Sequence, residues 1–507
     1  MRITVLVLII LTIATKFFGF LRDIVFSYYY GASYISDAYI ISQTIPFTIF
    51  TLIGTAITTS FIPIYIRIKK NQGKKSADIF TSTLINNIFV ISVFISFTMF
   101  LLAKPLVKLF AFGFTGATFH LAVQFTKISV FGICVIGMTY VLKGYLEQKK
   151  KFYVTGLISL PLNLVFIMTI ILSVNWGYYL LPIGNLAALF FQLLFIYIMS
   201  FIYGYRHNIK KSYKNTEDIK KMIYMSIPIL MGISVNEING IIDRTIASHL
   251  ETGAISALTY ANRLSLFIQG VFGMSIATVM FPLIAKKASE KNFEGFKKNL
   301  SDSIGGVNIL VIPSVIIVML FAEPIVKLVF GRGAFDNTAL IMTSSALFFY
   351  SIGMIGFGLR EILSRAFYAL QDTKTPTLNA TIGMVVNIIL NLILSRYLGI
   401  GGLALATSLS AIFTTLLLFN SLRKKIGTFI LRNVYISFLK IIVASIISGL
   451  VAKFIYLNMM LEINDNLKLI FTLIVGGLIY LILMLVLKVD EFKSITNILK
   501  NKIKNKN

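Results

Sequence analysis

Long apolar runs recur from one end of this 507-residue chain to the other. Many reach about 20 residues, the length that carries an α-helix across the hydrocarbon core of a bilayer. A backbone in that core has no water to bond, so only helices and closed barrels can cross it. A barrel would read as alternating segments of about ten residues, a pattern this sequence lacks. Hydropathy predicts about fourteen spans. They run over 3–26, 38–66, 79–103, 121–145, 153–174, 179–203, 222–248, 257–285, 306–330, 338–369, 378–396, 402–421, 433–455 and 467–487. The longest exceed one bilayer thickness, so tilt, kinks or extensions into water are expected. Pro46, Pro161 and Pro228 are the expected kink points. The fold class is an all-α integral membrane protein.

The chain is 57% hydrophobic and only 13% charged, yet its net charge is +27. In a water-soluble chain that excess would suggest nucleic acid. Here the Lys and Arg lie in short loops between apolar runs, the pattern of the positive-inside rule, and nucleic-acid binding is excluded. Loops carrying Arg67, Lys69, Lys70, Lys74 and Lys75, then Lys149 to Lys151, then Lys286 and Lys287, then Arg423 to Lys425, belong on the cytoplasmic side. Both termini are then cytoplasmic. The first run follows Arg2 and resembles a signal peptide, but no small-x-small site ends it, and Lys16, Arg22 and Asp23 continue the helical pattern. It is expected to remain as the first span. The single cysteine, Cys134, excludes an intrachain disulfide, and His120, His207 and His249 form no zinc-protease pattern.

Two segments recur at an offset of about 220 residues. Residues 31–63 echo 253–282, and 144–163 echo 366–387. The offset is close to six spans, an even number, so both copies keep one orientation, as in transporters with parallel repeats. The expected organisation is an N-lobe at 1–205 (spans 1–6), a C-lobe at 206–425 (spans 7–12), two further spans at 426–490 and a basic cytoplasmic tail at 491–507. The tail reads as an anchor on anionic lipid.

Charges inside spans are costly unless they meet a partner or a wet cavity, so they are the strongest functional clues. Lys16 and Asp23 in span 1 share a helical stripe with Arg22 beside it. Asp37 opens span 2, Glu237, Asp243 and Arg244 lie in span 7, Arg263 in span 8, and Arg360, Glu361 and Arg365 in span 10. A cavity lined by Lys16, Arg22 and Arg263 would be cationic and suit a phosphate or diphosphate, which Arg binds in forked geometry. The other reading of Lys16 and Arg22 is snorkelling to the headgroup layer, or an internal pair such as Arg22 with Asp23. Arg360, Glu361 and Arg365 read as a structural or gating salt-bridge cluster. Asn387 and Asn391 lie one turn apart in span 11. With Thr407 and Asp243 they offer oxygen ligands for a sodium ion, or hydrogen bonds between helices.

The stretches GFLRDIVFSYYYGASYISDAY, IIDRTIASHLETGAISALTYANRL, FGRGAFD, REILSRAFYALQDTKTPT and NLILSRYLGIGGLALATS span most of the chain. They resemble the MurJ (MviN) lipid II flippase family, within the multidrug/oligosaccharidyl-lipid/polysaccharide exporter superfamily. The resemblance implies two pseudo-symmetric six-helix lobes, alternating access, and a tail groove formed by spans 13 and 14. It places headgroup binding on Lys16, Arg22, Asp23, Asp37 and Arg263, and sodium on Asp243, Asn387, Asn391 and Thr407. Two features depart from the family pattern. Lys16 stands where many members have Arg, and PFTIFTLIG in span 2 lacks a cation found in many members.

The function implied is translocation of undecaprenyl-diphosphate-linked peptidoglycan precursor from the cytoplasmic to the outer leaflet of a bacterial cytoplasmic membrane. The alternative is another polyprenyl-diphosphate oligosaccharide. The implied partners are lipid II, membrane lipids and cell-wall synthesis proteins, with the chain acting as a monomer. Short loops and the lack of a nucleotide-phosphate motif argue against an enzyme.

Overall fold

A computed structural model describes residues 2–208, 213, 216–429, 432–459, 464–489 and 492. The tail expected at 491–507 lies outside the described residues apart from Phe492, as does the backbone at Lys210, Lys211 and Lys214. The described chain is helical: α1 (Arg2–Tyr30), α2 (Tyr34–Leu101), α3 (Ala103–Phe110), α4 (Gly116–Ser129), α5 (Gly132–Gln148), α6 (Phe152–Gly156), α7 (Ser159–Trp176), α8 (Leu180–Ile202), α9 (Thr216–Ala247), α10 (Ala254–Ser289), α11 (Phe293–Phe330), α12 (Asn337–Ala369), α13 (Lys374–Ile426), α14 (Arg432–Asn458) and α15 (Asp465–Val486). Among the described residues, eight helices are long and apolar enough to cross a membrane, or nine if α4 and α5, bent by 45°, form one span. Both α2 and α13 cover two expected spans, broken at Gly73 (φ 84°) and Gly399 (φ 53°). The exposed face carries large apolar side chains, among them Phe94 at 73% and Trp176 at 78% exposure. A solvated protein avoids such a surface, whereas lipid favours it. This is a multi-pass all-α membrane protein.

Local sequence sets the helix ends. Ser33 caps α2 by accepting the Ser36 amide at 3.3 Å, and Asn292 caps α11 by accepting Gly295 N–H at 2.8 Å. The expected kinks are placed differently. At Pro46 the α2 backbone stays helical. Pro161 lies in the first turn of α7, where its missing N–H costs nothing, just after the break that separates α6 from α7. The Pro228 side chain lies outside what is described. Glycines, not these prolines, make the sharpest turns.

The helices pack into two compact units. One comprises residues 1–256 and 332–336, the other 257–331 and 337–507. In the first, α9 packs on α2, so span 7 sits with the first six spans. The core there is aromatic: Phe61, Tyr65, Phe80, Tyr145 and Tyr205 are fully buried. The segment after α8 is fixed to α2 through side chains. Ser82 Oγ accepts the Asn208 amide at 3.0 Å, Thr83 Oγ1 accepts the Tyr213 amide at 2.8 Å, and His207 Nε2 donates to Asn86 Oδ1 at 3.1 Å. Deeper in, the Ser60 and Ser226 hydroxyls bond at 2.9 Å across α2 and α9.

In the second unit, small residues let α12 and the second half of α13 approach closely. A Cβ at Gly353 would lie 2.6 Å from Ser408 Oγ. Ser408 Oγ instead donates to the Phe349 carbonyl at 2.7 Å, and Thr415 Oγ1 to the Gly356 carbonyl at 2.8 Å. Hydroxyl groups bonded across helices are a usual adhesive in lipid. The DTKTPT turn between α12 and α13 has a similar logic. Asp372 accepts the Thr375 amide at 3.0 Å, the Thr375 hydroxyl at 2.8 Å and Lys425 Nζ at 2.6 Å. Lys425, then the Thr375 amide, hold the Asp372 carboxyl at about 2, below the ordinary aspartate range.

A carboxyl held low in the folded state stabilises it above its unfolded pKa, and that contribution disappears as pH falls through the folded value. Because Lys425 is 42% exposed, the pair is partly screened. Asp372→Asn should therefore cost about 1 kcal/mol at neutral pH. The gap from the unaltered protein should close as pH drops from about 4 to about 2. Thermal melting in detergent across that range measures it, and a gap that does not change with pH would contradict the assignment.

Candidate functional site

The first-span charges lie on α1. Arg22 Nε and Nη2 both donate to Asp23 Oδ1, at 3.1 and 2.7 Å. The internal pair foreseen as one reading of Arg22 is thus what forms. The pair is not sealed, since the side chains keep 22% and 17% of their exposure. One oxygen of Asp23 takes both contacts. Lys16 is exposed two turns earlier, and Gly19 between them faces Asn163 of α7, with room for a Cβ 3.6 Å from its amide nitrogen.

Asp37 is buried, in the first turn of α2. Its Oδ2 accepts the Gly253 amide at 2.7 Å, and its Oδ1 accepts both the Ser256 amide at 2.8 Å and the Ser256 hydroxyl. These are donors at the start of α10, where a helix leaves its first amides unpaired and favours negative charge. Asp37 is therefore a cap supplied from a distant helix. Three donors saturate its inward face.

A second contact lies beside this cap. The loop 331–336, from the FGRGAFD motif, clips onto the end of α1 through the Ala334 amide, which donates to the Tyr28 carbonyl at 2.7 Å. Two glycines make the clip possible. Gly333 has φ 64°, and a Cβ there would lie 2.2 Å from the Tyr28 carbonyl oxygen. Gly31 has φ 55°, and a Cβ there would lie 2.2 Å from the Ala334 carbonyl oxygen. Both positions need glycine for conformation and for space. The spacing of Gly331 and Gly333 in the sequence signals a turn, but nothing in it identifies Tyr28 as the partner.

The remaining candidates separate by unit. In the second unit, Arg263 is exposed on α10. On α12, Arg365 pairs with Glu361 at 2.9 Å and lies over the Phe281 ring at 5.8 Å, while Arg360 lies over Phe357 at 5.1 Å. On α13, Asn391 Nδ2 donates to Asn387 Oδ1 at 2.8 Å, Asn387 Nδ2 to Thr407 Oγ1 at 3.3 Å, and Thr407 Oγ1 to the Leu403 carbonyl at 3.0 Å. The break at Gly399 folds the chain so that Asn387 and Thr407 meet. These neutral oxygens suit a hard monovalent cation. Asp243, the carboxylate expected with them, is half-buried on α9 in the first unit. Among the described residues no three His, Cys, Asp or Glu side chains gather as a metal site.

Removing the Asp37 carboxylate strands buried donors, each costing about 1–3 kcal/mol. Asp37→Ala should lower stability by about 2–3 kcal/mol and Asp37→Asn, which keeps one acceptor, by about half as much. Chemical denaturation in micelles reads this, and equal losses for the two variants would remove the cap interpretation. For the clip, Gly333→Ala should expose the loop. In a Cys134→Ser background, the thiol introduced by Ala334→Cys should then react with a soluble reagent several-fold faster. An unchanged rate would show that the clip does not restrain the loop.

The comparisons with known proteins agree with this architecture. The family model described as "Lipid II flippase MurJ" matches residues 26–486. A probable lipid II flippase of Buchnera aphidicola is 30% identical over 472 residues, covering 90% of each chain. Another from Thermotoga maritima is 27% identical over 490 residues, covering 96% of each. A solved structure of lipid II flippase MurJ in an inward closed conformation superposes with a TM-score of 0.79 at 28% identity, covering 94% of this chain and 98% of that one. A multidrug transporter described as belonging to the MATE family of the MOP superfamily, at 16% identity and a TM-score of 0.68, has a similar fold, with coverage of 82% of this chain and 94% of that one. With a family model spanning the helices from the end of α1 to the end of α15, this chain belongs to the lipid II flippase MurJ family.

Proposed function

We propose that this protein is a lipid II flippase. It moves the undecaprenyl-diphosphate-linked precursor from the cytoplasmic to the outer leaflet of a bacterial cytoplasmic membrane, with both its termini cytoplasmic. The observation that carries this reading is the near full-length match to lipid II flippases, in sequence and in fold. The site chemistry supports it. A diphosphate needs cations in a place where cations are costly, and Arg22 and Arg263 are span residues that keep exposure. Arg offers a fork that matches phosphate oxygens. Asp23 accepts from Nε and Nη2 of Arg22 through one oxygen, which orients the guanidinium. Lys16, a point charge, contributes attraction without forked geometry.

In this reading transport proceeds by alternating access. The α14–α15 hairpin forms the groove for the polyprenyl tail. The protein acts as a monomer alongside cell-wall synthesis proteins. Sodium would be held by Asn387, Asn391 and Thr407 of the second unit and would bias the equilibrium between the two states.

Reconstituted transport of lipid II, set against a different polyprenyl-diphosphate oligosaccharide, tests the cargo. Lipid II should move at least about tenfold faster, the scale of one well-placed polar contact. Equal rates would point to a broader lipid-linked-oligosaccharide flippase. Arg22→Ala and Arg263→Ala should each abolish complementation of flippase-depleted cells. Growth with both at normal protein levels would refute the role of these arginines in holding the diphosphate. Replacing sodium by potassium should slow transport, and an unchanged rate would remove sodium from the mechanism.

A further inference from the structure

A proline inside a helix leaves the carbonyl four residues earlier without its amide partner. In α11 the proline is Pro324 and the carbonyl is that of Leu320. The backbone departs from helical geometry at Phe321, with φ −122° and ψ 22°. In a span such an open carbonyl would be expensive. It is not left open, because Lys453 Nζ of α14 donates to the Leu320 carbonyl at 2.9 Å. The ammonium lies 5.2 Å from the Phe321 ring centre and 5.9 Å from that of Tyr456. Those two rings meet edge-on at 5.6 Å. One turn past the proline, Lys327 pairs with Asp465 of α15 at 3.1 Å.

A lysine within a span ordinarily snorkels to water or serves a substrate. Lys453 is part-buried, and its ammonium donates to a backbone carbonyl beside two aromatic rings. The residues at and beyond the kink, 320–330, are thereby tied to the α14–α15 hairpin at three points: Leu320–Lys453, Phe321–Tyr456 and Lys327–Asp465. That segment ends at Phe330 and continues directly into the loop 331–336.

We propose that Lys453 is a positioning residue for transport. Its ammonium stands in for the amide that Pro324 lacks, so that the α14–α15 hairpin and the far segment of α11 move as one piece. The role rests on the flippase reading for its consequence in transport, but not for the geometry itself. Lys453 does not touch the headgroup, so its loss should leave the KM for lipid II unchanged and lower the turnover.

The test uses the full chain in four forms: unaltered, Lys453→Met, Lys453→Arg, and Lys453→Met combined with Pro324→Ala. The Pro324→Ala change restores an amide that can reach the Leu320 carbonyl, making the lysine dispensable. In proteoliposomes, Lys453→Met should transport lipid II about tenfold more slowly, the equivalent of one charge-assisted hydrogen bond. Lys453→Arg should stay near the unaltered rate. The double variant should return to within about twofold of it. A substrate contact or general packing role would not be rescued by a change at Pro324. Full activity of Lys453→Met, a raised KM in place of lowered turnover, or a double variant no better than the single one would each overturn the proposal. Melting the same four proteins in detergent repeats the comparison without cargo. The melting temperature should fall with Lys453→Met and recover in the double variant, and if it does not recover the proposal fails. Should Lys453→Met fail to fold, recovery of folded protein in the double variant supports the substitution of ammonium for amide, and failure of both refutes it. Absence of lipid II transport by the unaltered protein, with the melting rescue intact, would count against the cargo and not against the role of Lys453.

Discussion

A peptide group in hydrocarbon has no water to fall back on, and the rest of this structure follows from that. Helix is the response over nearly all of the described chain. The informative places are the interruptions, because each must find replacement partners. The break at Phe321 and Pro324 is served by Lys453. The start of α10 is served by Asp37. The turn into α13 is served by Asp372. In each case a charged side chain supplies what the ladder lost. Many of the charges that make a membrane chain look functional are thus occupied in keeping irregular backbone satisfied.

This separates two kinds of charge. Asp37 has its bonding capacity largely used by protein partners, and Lys453 gives a donor to a backbone carbonyl. Arg22 is held through one oxygen of Asp23 and keeps exposure, and Arg263 is exposed. The second kind keeps surface within reach of a phosphate, and the family to which the chain belongs gives that exposure its meaning. Polar groups without charge show the same division. Asn387, Asn391 and Thr407 bond to one another in a directed chain, so a cation there would have to compete for the Asn387 and Thr407 oxygens.

Flexibility is placed with equal economy. Glycines break α2 and α13, and glycines permit the clip between the end of α1 and the loop before α12. Prolines are less disruptive than the sequence suggests. Pro46 leaves its helix regular, and Pro161 sits where a helix start tolerates it. At Pro324 the backbone does depart from helical geometry and the freed carbonyl is bonded by Lys453, a neighbour that composition does not reveal.

Hydropathy and charge patterning were enough, without any structure, to give the membrane class and the helical fold, and contiguous motifs gave the resemblance to the family. Each depends on local periodicity or on motifs contiguous in the chain: an apolar run either spans or does not, and FGRGAFD or DTKTPT is recognisable where it stands. The pairing of Arg22 with Asp23 was also within reach, since the two are neighbours. What remained hidden were partnerships between residues distant in sequence. Asp37 was legible as a costly charge but not as the cap of α10, some 216 residues away. Lys453 drew no notice, because one lysine near the end of an apolar run looks like any snorkelling anchor. The sequence by itself determined which groups must find partners. Only the tertiary structure decided which partners they found, because in lipid the cost of an unbonded polar group is set locally while its relief comes from whichever helix packs beside it.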